Sequence, residues 1–149
     1  MRVLLLRLRR GVELGRGVRV ARGVRVEVAR GARLEVGDRC VLGPHSRLVV
    51  RAGVLRLGAF VVLGDGCRLV VHAGVTLGDG CLLGPQAAII DAAHSFDDAE
   101  SPIRRQPLAA APVVIGAGVV FEPGAAVLAG AVVPDGAVLT ARSVTTPAG

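Results

Sequence analysis

Four residue types never occur in this chain: lysine, asparagine, tryptophan and tyrosine. All 18 basic residues are therefore arginines. Biased genome composition or adaptation to heat would each leave that mark, and neither names a function. Three phenylalanines are the whole aromatic content. Bases would have almost nothing to stack on, which argues against nucleic acid as a partner. No apolar run approaches the roughly 20 residues of a spanning helix, although 52% of residues are hydrophobic. Leu4, Leu5 and Leu6 are hemmed in by Arg2, Arg7, Arg9 and Arg10, too short a stretch for a signal peptide. Membrane contact is expected to be peripheral at most. Cys40, Cys67 and Cys81 form no Cys-x-x-Cys pair and lack the close spacing of metal ligands. An odd number of thiols without a secretion signal points to a reducing, cytoplasmic compartment.

Charge is divided along the chain. Residues 1–70 hold 15 arginines against 5 acids, whereas residues 71–149 hold 3 against 7. A basic half can attract a phosphorylated substrate or an anionic surface. Arg16 and Arg22, then Arg19 and Arg25, recur at a six-residue step, as a solvated face would. The solvated face is the reading adopted here.

What is present is a period. From Ile115 an aliphatic or aromatic residue returns every sixth position: Phe121, Val127, Val133, Leu139. A compact residue follows each by four: Val119, Ala125, Ala131, Ala137, Ser143. Six is neither the helical period nor the strand period. It marks short strands joined by tight corners and stacked as a parallel β-helix. The three cysteines fall in the same compact slot and are expected to be buried free thiols.

The whole chain, 1–149, reads as one domain. Residues 1–13 are expected to form an opening strand or cap. Residues 14–91 carry an imperfect ladder with two-residue slips at 26/28, 34/36 and 69/71, read as corner insertions or bulges. Residues 92–112 lack the period and contain Pro102, Pro107 and Pro112, which predicts an excursion loop. Residues 113–146 resume the ladder. The fold class is all-β, a single-stranded parallel β-helix with one excursion.

The stretch from Ala93 to Leu108, then Pro112 with Val113-Val114-Ile115-Gly116 and the closing Gly136 to Thr146, resembles the hexapeptide-repeat acyltransferases. The closer likeness is to their sugar O-acetyltransferase branch, the maltose, galactoside and polysaccharide acetyltransferases. It covers roughly residues 57–147; the earlier part shares only the repeat. The resemblance implies a left-handed β-helix with three six-residue steps per coil, a homotrimer, and acetyl-CoA as co-substrate in a groove between subunits. It implies a saccharide or glycan acceptor and a histidine general base, here His94. The chain departs from the family pattern at Val120-Phe121-Glu122-Pro123-Gly124, where "V-W-I-G-x-G" is usual, and at Pro147, where lysine is common.

Acetyl transfer from a thioester to a hydroxyl needs a base and an oxyanion donor. A histidine titrating near neutrality supplies the first, and backbone N–H groups at a corner supply the second. Asp91, three residues before His94, is a candidate to orient it or to contact the acceptor; a corner aspartate in a turn is an equally good account. With three six-residue steps per coil, His72 would stack under Ile90, where it either lines the acceptor pocket or is an outward strand histidine, the two readings weighing equally. Asp97 in the loop is a candidate acceptor contact, and Arg104 and Arg105 could meet phosphate. By resemblance, Gly124, Ala125, Ala141, Arg142 and Thr146 hold CoA, with Arg142 on a phosphate. No metal is expected. Two other readings stay open. One is a non-catalytic β-helix scaffold. The other is a β-helix metal hydrolase or lyase, which would need clustered histidines, whereas His45, His72 and His94 are spread along the chain.

Overall fold

The computed structural model describes residues 2–94 and 108–147. The six-residue step becomes a corner, and three corners close a coil. Six coils stack into a parallel β-solenoid with three faces, each a six-stranded parallel sheet. The first face runs from Val12–Leu14 to Val132–Val133, the second from Arg19–Val20 to Val138–Leu139, and the third from Arg25–Val28 to Val144–Thr145. Among the described residues no helix is long and apolar enough to cross a membrane.

Inside, aliphatic side chains stack coil on coil. Leu34, Leu55, Val75 and Val113 form one such column, and all are fully buried. Such dense stacking replaces the packing of opposed layers in an ordinary domain.

The coils are not of one length. The first runs from Val12 to its partner Leu34, the next from Leu34 to Leu55 and the next from Leu55 to Val75. Each is one residue shorter than the coil before it. Only after the excursion, from Val114 to its partner Val132, does a coil equal three six-residue steps. That expectation therefore describes the last turn and not the first ones. The cause lies in the slips. Leu34 and Val36, like Leu69 and Val71, are both buried inside one four-residue strand. They are two inward positions of an ordinary alternating strand, neither corner insertions nor bulges.

The N-terminus is a cap, built as the helix Arg2–Arg7 instead of a strand. Leu6 plugs the core, and the first coil starts at Val12, two residues earlier than expected. Arg7 donates to the Leu14 and Gly15 carbonyls at 2.6 Å, and Arg9 to that of Val26. These bonds cover the open edge of the first coil, where a free strand edge would invite pairing.

Most corners carry a residue at positive φ, although the His72–Gly74 corner does not. Glycine serves at most of them, as Gly124 does at 76°. Arg39, His45, Phe60, Gln86 and Arg142 accept the same strain. His45 is thus a corner residue. The compact inward slot beside each corner holds the cysteines. Their thiols donate to glycine carbonyls of the next coil, Cys40 to Gly58 at 3.0 Å, Cys67 to Gly84 at 3.3 Å and Cys81 to Gly116 at 3.1 Å.

Burial raises all three thiol pKa values, that of Cys67 to about 11. Native protein should therefore leave a thiol reagent unreacted at pH 8, and unfolding in guanidinium should expose all three groups. The folded state holds the thiol proton more tightly than the unfolded chain, whose thiols titrate near 8.5. Stability is fully present below that value and should fall as pH rises towards 11, read as a declining denaturant midpoint.

Candidate functional site at the excursion ribbon

The solenoid is interrupted at the corner between the third and first faces. The chain leaves after Ala88–Ile90 and returns at Val113–Ile115. The base of the excursion is a two-stranded antiparallel ribbon, Ala92–His94 against Leu108–Ala110, in which His94 is paired with Leu108. The expected aperiodic loop thus stands on regular pairing. Asp97, Arg104 and Arg105 lie outside the described residues. For His94 the structure gives the backbone position, at the end of the ribbon strand.

Asp91 is fully buried at the foot of this ribbon. Its carboxylate accepts three backbone N–H groups of the coil below: His72 at 2.7 Å, Ala73 at 2.7 Å and Gly74 at 2.8 Å. Its own carbonyl accepts from Ala111 at 3.0 Å, where the chain returns. Asp91 therefore pins both ends of the excursion to the coil below. This is the corner-aspartate role; its oxygens serve the backbone, so it is not placed as an acceptor contact. Similar single bonds recur at other corners, from Arg16 to Asp38, Ala59 to Asp79 and Ala117 to Asp135, each at 2.8 Å.

His72 does not lie under Ile90. The partner of Ile90 is Val70, because this coil is longer than three six-residue steps. His72 sits at the corner beyond it, with Nδ1 3.9 Å from an Asp91 oxygen. That nitrogen is buried and has no hydrogen-bond partner among the described residues. The outcome still puts His72 beside the ribbon, by another route than the one expected.

His72 and Leu108 close one end of a groove of about 410 Å³ whose other walls are Arg47, Val49, Arg51, Arg68 and Val70. Arg25, Arg47 and Arg68 are in register on three successive strands of the third face. Glu27 lies 3.7 Å from both Arg47 and Arg51. Above Arg68 the same outward column continues as Ala88, Ala126 and Val144. The face thus changes from cationic to apolar at the coil that carries the excursion. Sequence reasoning missed this groove. The arginines recur once per true coil, from Arg25 to Arg47 to Arg68, and a six-residue step hides that spacing.

The residues expected to hold CoA lie further on, Gly124 and Ala125 two coils beyond Arg68 and Ala141, Arg142 and Thr146 three. Gly124 and Arg142 share a corner column, and a Cβ on Gly124 would meet the Arg142 side chain at 3.3 Å. Ala125 turns inward and is fully buried, so its methyl belongs to the core and cannot face a ligand. The local N–H groups are committed: Gly124 to Pro85, Ala125 to Glu122, Arg142 to Pro123, and Ala141 to the Glu122 carboxylate at 3.0 Å. What the corner offers is an exposed guanidinium at Arg142, the exposed Thr146, and an Ala141 N–H held only by a side chain. Among the described residues no three potential metal ligands converge.

No family model and no curated protein matches the chain. Solved structures do. Variants of AntD, an N-acyltransferase from Bacillus cereus, share its fold. One, in complex with dTDP and coenzyme A, aligns over 97% of this chain and 77% of its own, with TM-score 0.74 and 12% identity. Another, with dTDP-4-amino-4,6-dideoxyglucose and coenzyme A, covers the same shares with TM-score 0.69 and 14% identity. AntD with dTDP and 3-hydroxybutyryl-CoA aligns over 97% of this chain and 80% of its own with TM-score 0.61 and 10% identity. The β-solenoid is therefore established by likeness as well as by geometry.

Removing the Asp91 carboxylate leaves three buried N–H groups without acceptors. Asp91→Ala should cost about 3 kcal/mol or more, measured by denaturant unfolding. Asp91→Asn, which keeps one acceptor oxygen, should recover part of the loss.

Proposed function

We propose that this chain is an acyl-CoA-dependent acyltransferase acting on a sugar, with His94 as general base. The observation that carries the reading is the single break in the solenoid, with a histidine on the ribbon that lines it. The shared fold with AntD, an N-acyltransferase seen with CoA and dTDP-sugar, supports the acyl transfer and the sugar.

In the proposed reaction the acceptor hydroxyl attacks the thioester carbonyl as His94 takes its proton. The tetrahedral intermediate collapses with loss of the CoA thiolate, and the imidazolium returns the proton to it. No covalent enzyme intermediate is needed. Acetyl is the acyl group proposed, in line with the O-acetyltransferase resemblance. Arg142 is proposed for a CoA phosphate, and Thr146, beyond the strand Val144–Thr145, for a further CoA contact. An amine acceptor is the second reading, favoured by the N-acyltransferase activity of AntD. A neutral amine attacks unaided and sheds its proton after addition, so it asks less of a base.

We also propose a homotrimer. The outward column of the second face is aliphatic for five coils, through Val41, Val62, Leu82, Val120 and Val138. Leu82 and Val138 are 46% and 58% exposed in the single chain, and burial against another copy would remove that surface from water. The three buried free thiols suit a cytoplasmic setting.

Acetyl-CoA transfer should be assayed against hydroxyl and amino sugars. His94→Ala should lower turnover by about 10²- to 10⁴-fold with CoA affinity and unfolding midpoint unchanged. Equal turnover in the variant would remove the mechanism, and no acyl-CoA binding would favour a scaffold. Leu82→Arg should convert the trimer to monomer in sedimentation, and a wild-type monomer would end the trimer proposal.

A further inference from the structure

We infer that the arginine groove beneath the excursion ribbon binds the diphosphate of the acceptor, which makes the acceptor a nucleoside-diphosphate sugar and not a free saccharide. The inference rests on the acyl-transfer reading for its purpose, though not for its geometry.

Arg47 and Arg68 occupy paired positions on adjacent parallel strands, so their backbones lie about 4.8 Å apart. Like charges directly opposed on a sheet destabilise it, and here Arg25 extends the row to three. Arg51 adds a fourth guanidinium near the groove. Among the described residues the groove is lined by three arginines and no acid; beside it Glu27 is shared between Arg47 and Arg51 at 3.7 Å, beyond hydrogen-bonding distance. Arg68 has no ion-pair partner among the described residues. The surplus of about two positive charges equals the charge of a diphosphate diester.

The chemistry of the walls agrees. Guanidinium groups only donate, and their fork fits two phosphate oxygens at once. His72 stands at the end of the groove nearest the ribbon, with its buried Nδ1 beside Asp91. Val49 and Val70 form an apolar floor, which raises the strength of charge pairing above it.

Position then gives direction. The strand carrying Arg68 is the neighbour of Ala88–Ile90, after which the ribbon departs, and Leu108 at the groove's end is the partner of His94. A diphosphate held by Arg47 and Arg68 lies about one to two strand spacings, roughly 5–10 Å, from the coil of the break. A hexose attached to it spans that gap and meets the ribbon.

CoA also carries a diphosphate, so the test must separate the two sources. Inorganic pyrophosphate, dTDP and CoA would each be titrated calorimetrically into wild type, Arg47→Gln, Arg68→Gln and the exposed control Arg22→Gln. These exposed positions tolerate substitution without loss of fold, which unfolding midpoints would check. Pyrophosphate and dTDP should bind wild type and the control, with affinity falling as salt rises. Each groove variant should weaken both by at least tenfold. CoA should bind all four proteins alike, and should still bind with dTDP saturating. Unchanged dTDP affinity in the groove variants would overturn the inference. So would competition between CoA and dTDP, which would assign the groove to CoA and leave acyl transfer standing. Binding of CoA without dTDP or pyrophosphate would remove this inference alone, and binding of none of the three would remove acyl transfer with it.

Discussion

Each coil of this protein is tied to the next by N–H···O=C bonds running along the solenoid axis, and a residue touches chiefly what stands one coil above or below it. Coil length therefore decides which side chains meet. Lengthening a strand of one coil changes which outward side chains stand in one column, while the alternation of inward and outward positions within that strand is kept. The early coils, Val12 to Leu34, Leu34 to Leu55 and Leu55 to Val75, are all longer than the last, Val114 to Val132. Their extra residues lengthen strands on the first and third faces, where inward side chains stay inward. The hydrophobic column survives unequal coils for that reason, and the outward columns are free to diverge in chemistry.

Corners are the second condition. A parallel coil must turn sharply three times, and each turn leaves N–H groups pointing along the axis. The protein satisfies some of them with carboxylates, one bond at a time at Asp38, Asp79 and Asp135. At Asp91 three bonds converge. That corner is where the chain departs, and where the backbone of the coil below would otherwise lose the coverage a regular turn provides. The strongest corner bond set thus supports the weakest point of the ladder. A functional excursion can be carried there because the coil beneath is closed independently of what the loop does.

The period of six disclosed the solenoid because inward residues repeat wherever strands are short, as from Ile115 to Leu139. It disclosed the break because His94 is followed by residues with no repeat. It failed where strands grew to four residues. Leu69 and Val71 looked like a slip, although both point inward from one strand. That misreading made the coil too short and laid His72 under Ile90, when Val70 holds that place. Arg47 and Arg68 escaped notice for the same reason. Their alignment appears only once the coil is counted from strand partner to strand partner. Ala125 was legible as a compact slot, yet such slots point into the core, so compactness did not signal access to a ligand.

The two halves of the third face differ in a way the break explains. Below it the outward column is Arg25, Arg47 and Arg68; above it stand Ala88, Ala126 and Val144. A uniform solvated face would show no such change. An enzyme that joins two substrates at one point needs two approaches of different chemistry, one for each. A cationic approach suits an anionic acceptor, and short apolar side chains let a long, thin, largely uncharged arm lie close to the backbone. In the proposed acyl transfer the excursion would stand where the two approaches meet, at the point where a proton is taken from one substrate as it attacks the other. Under the proposed acyl transfer, the asymmetry of the face and the position of the break would answer a single demand, that both reactants be bound along the axis and meet at one coil.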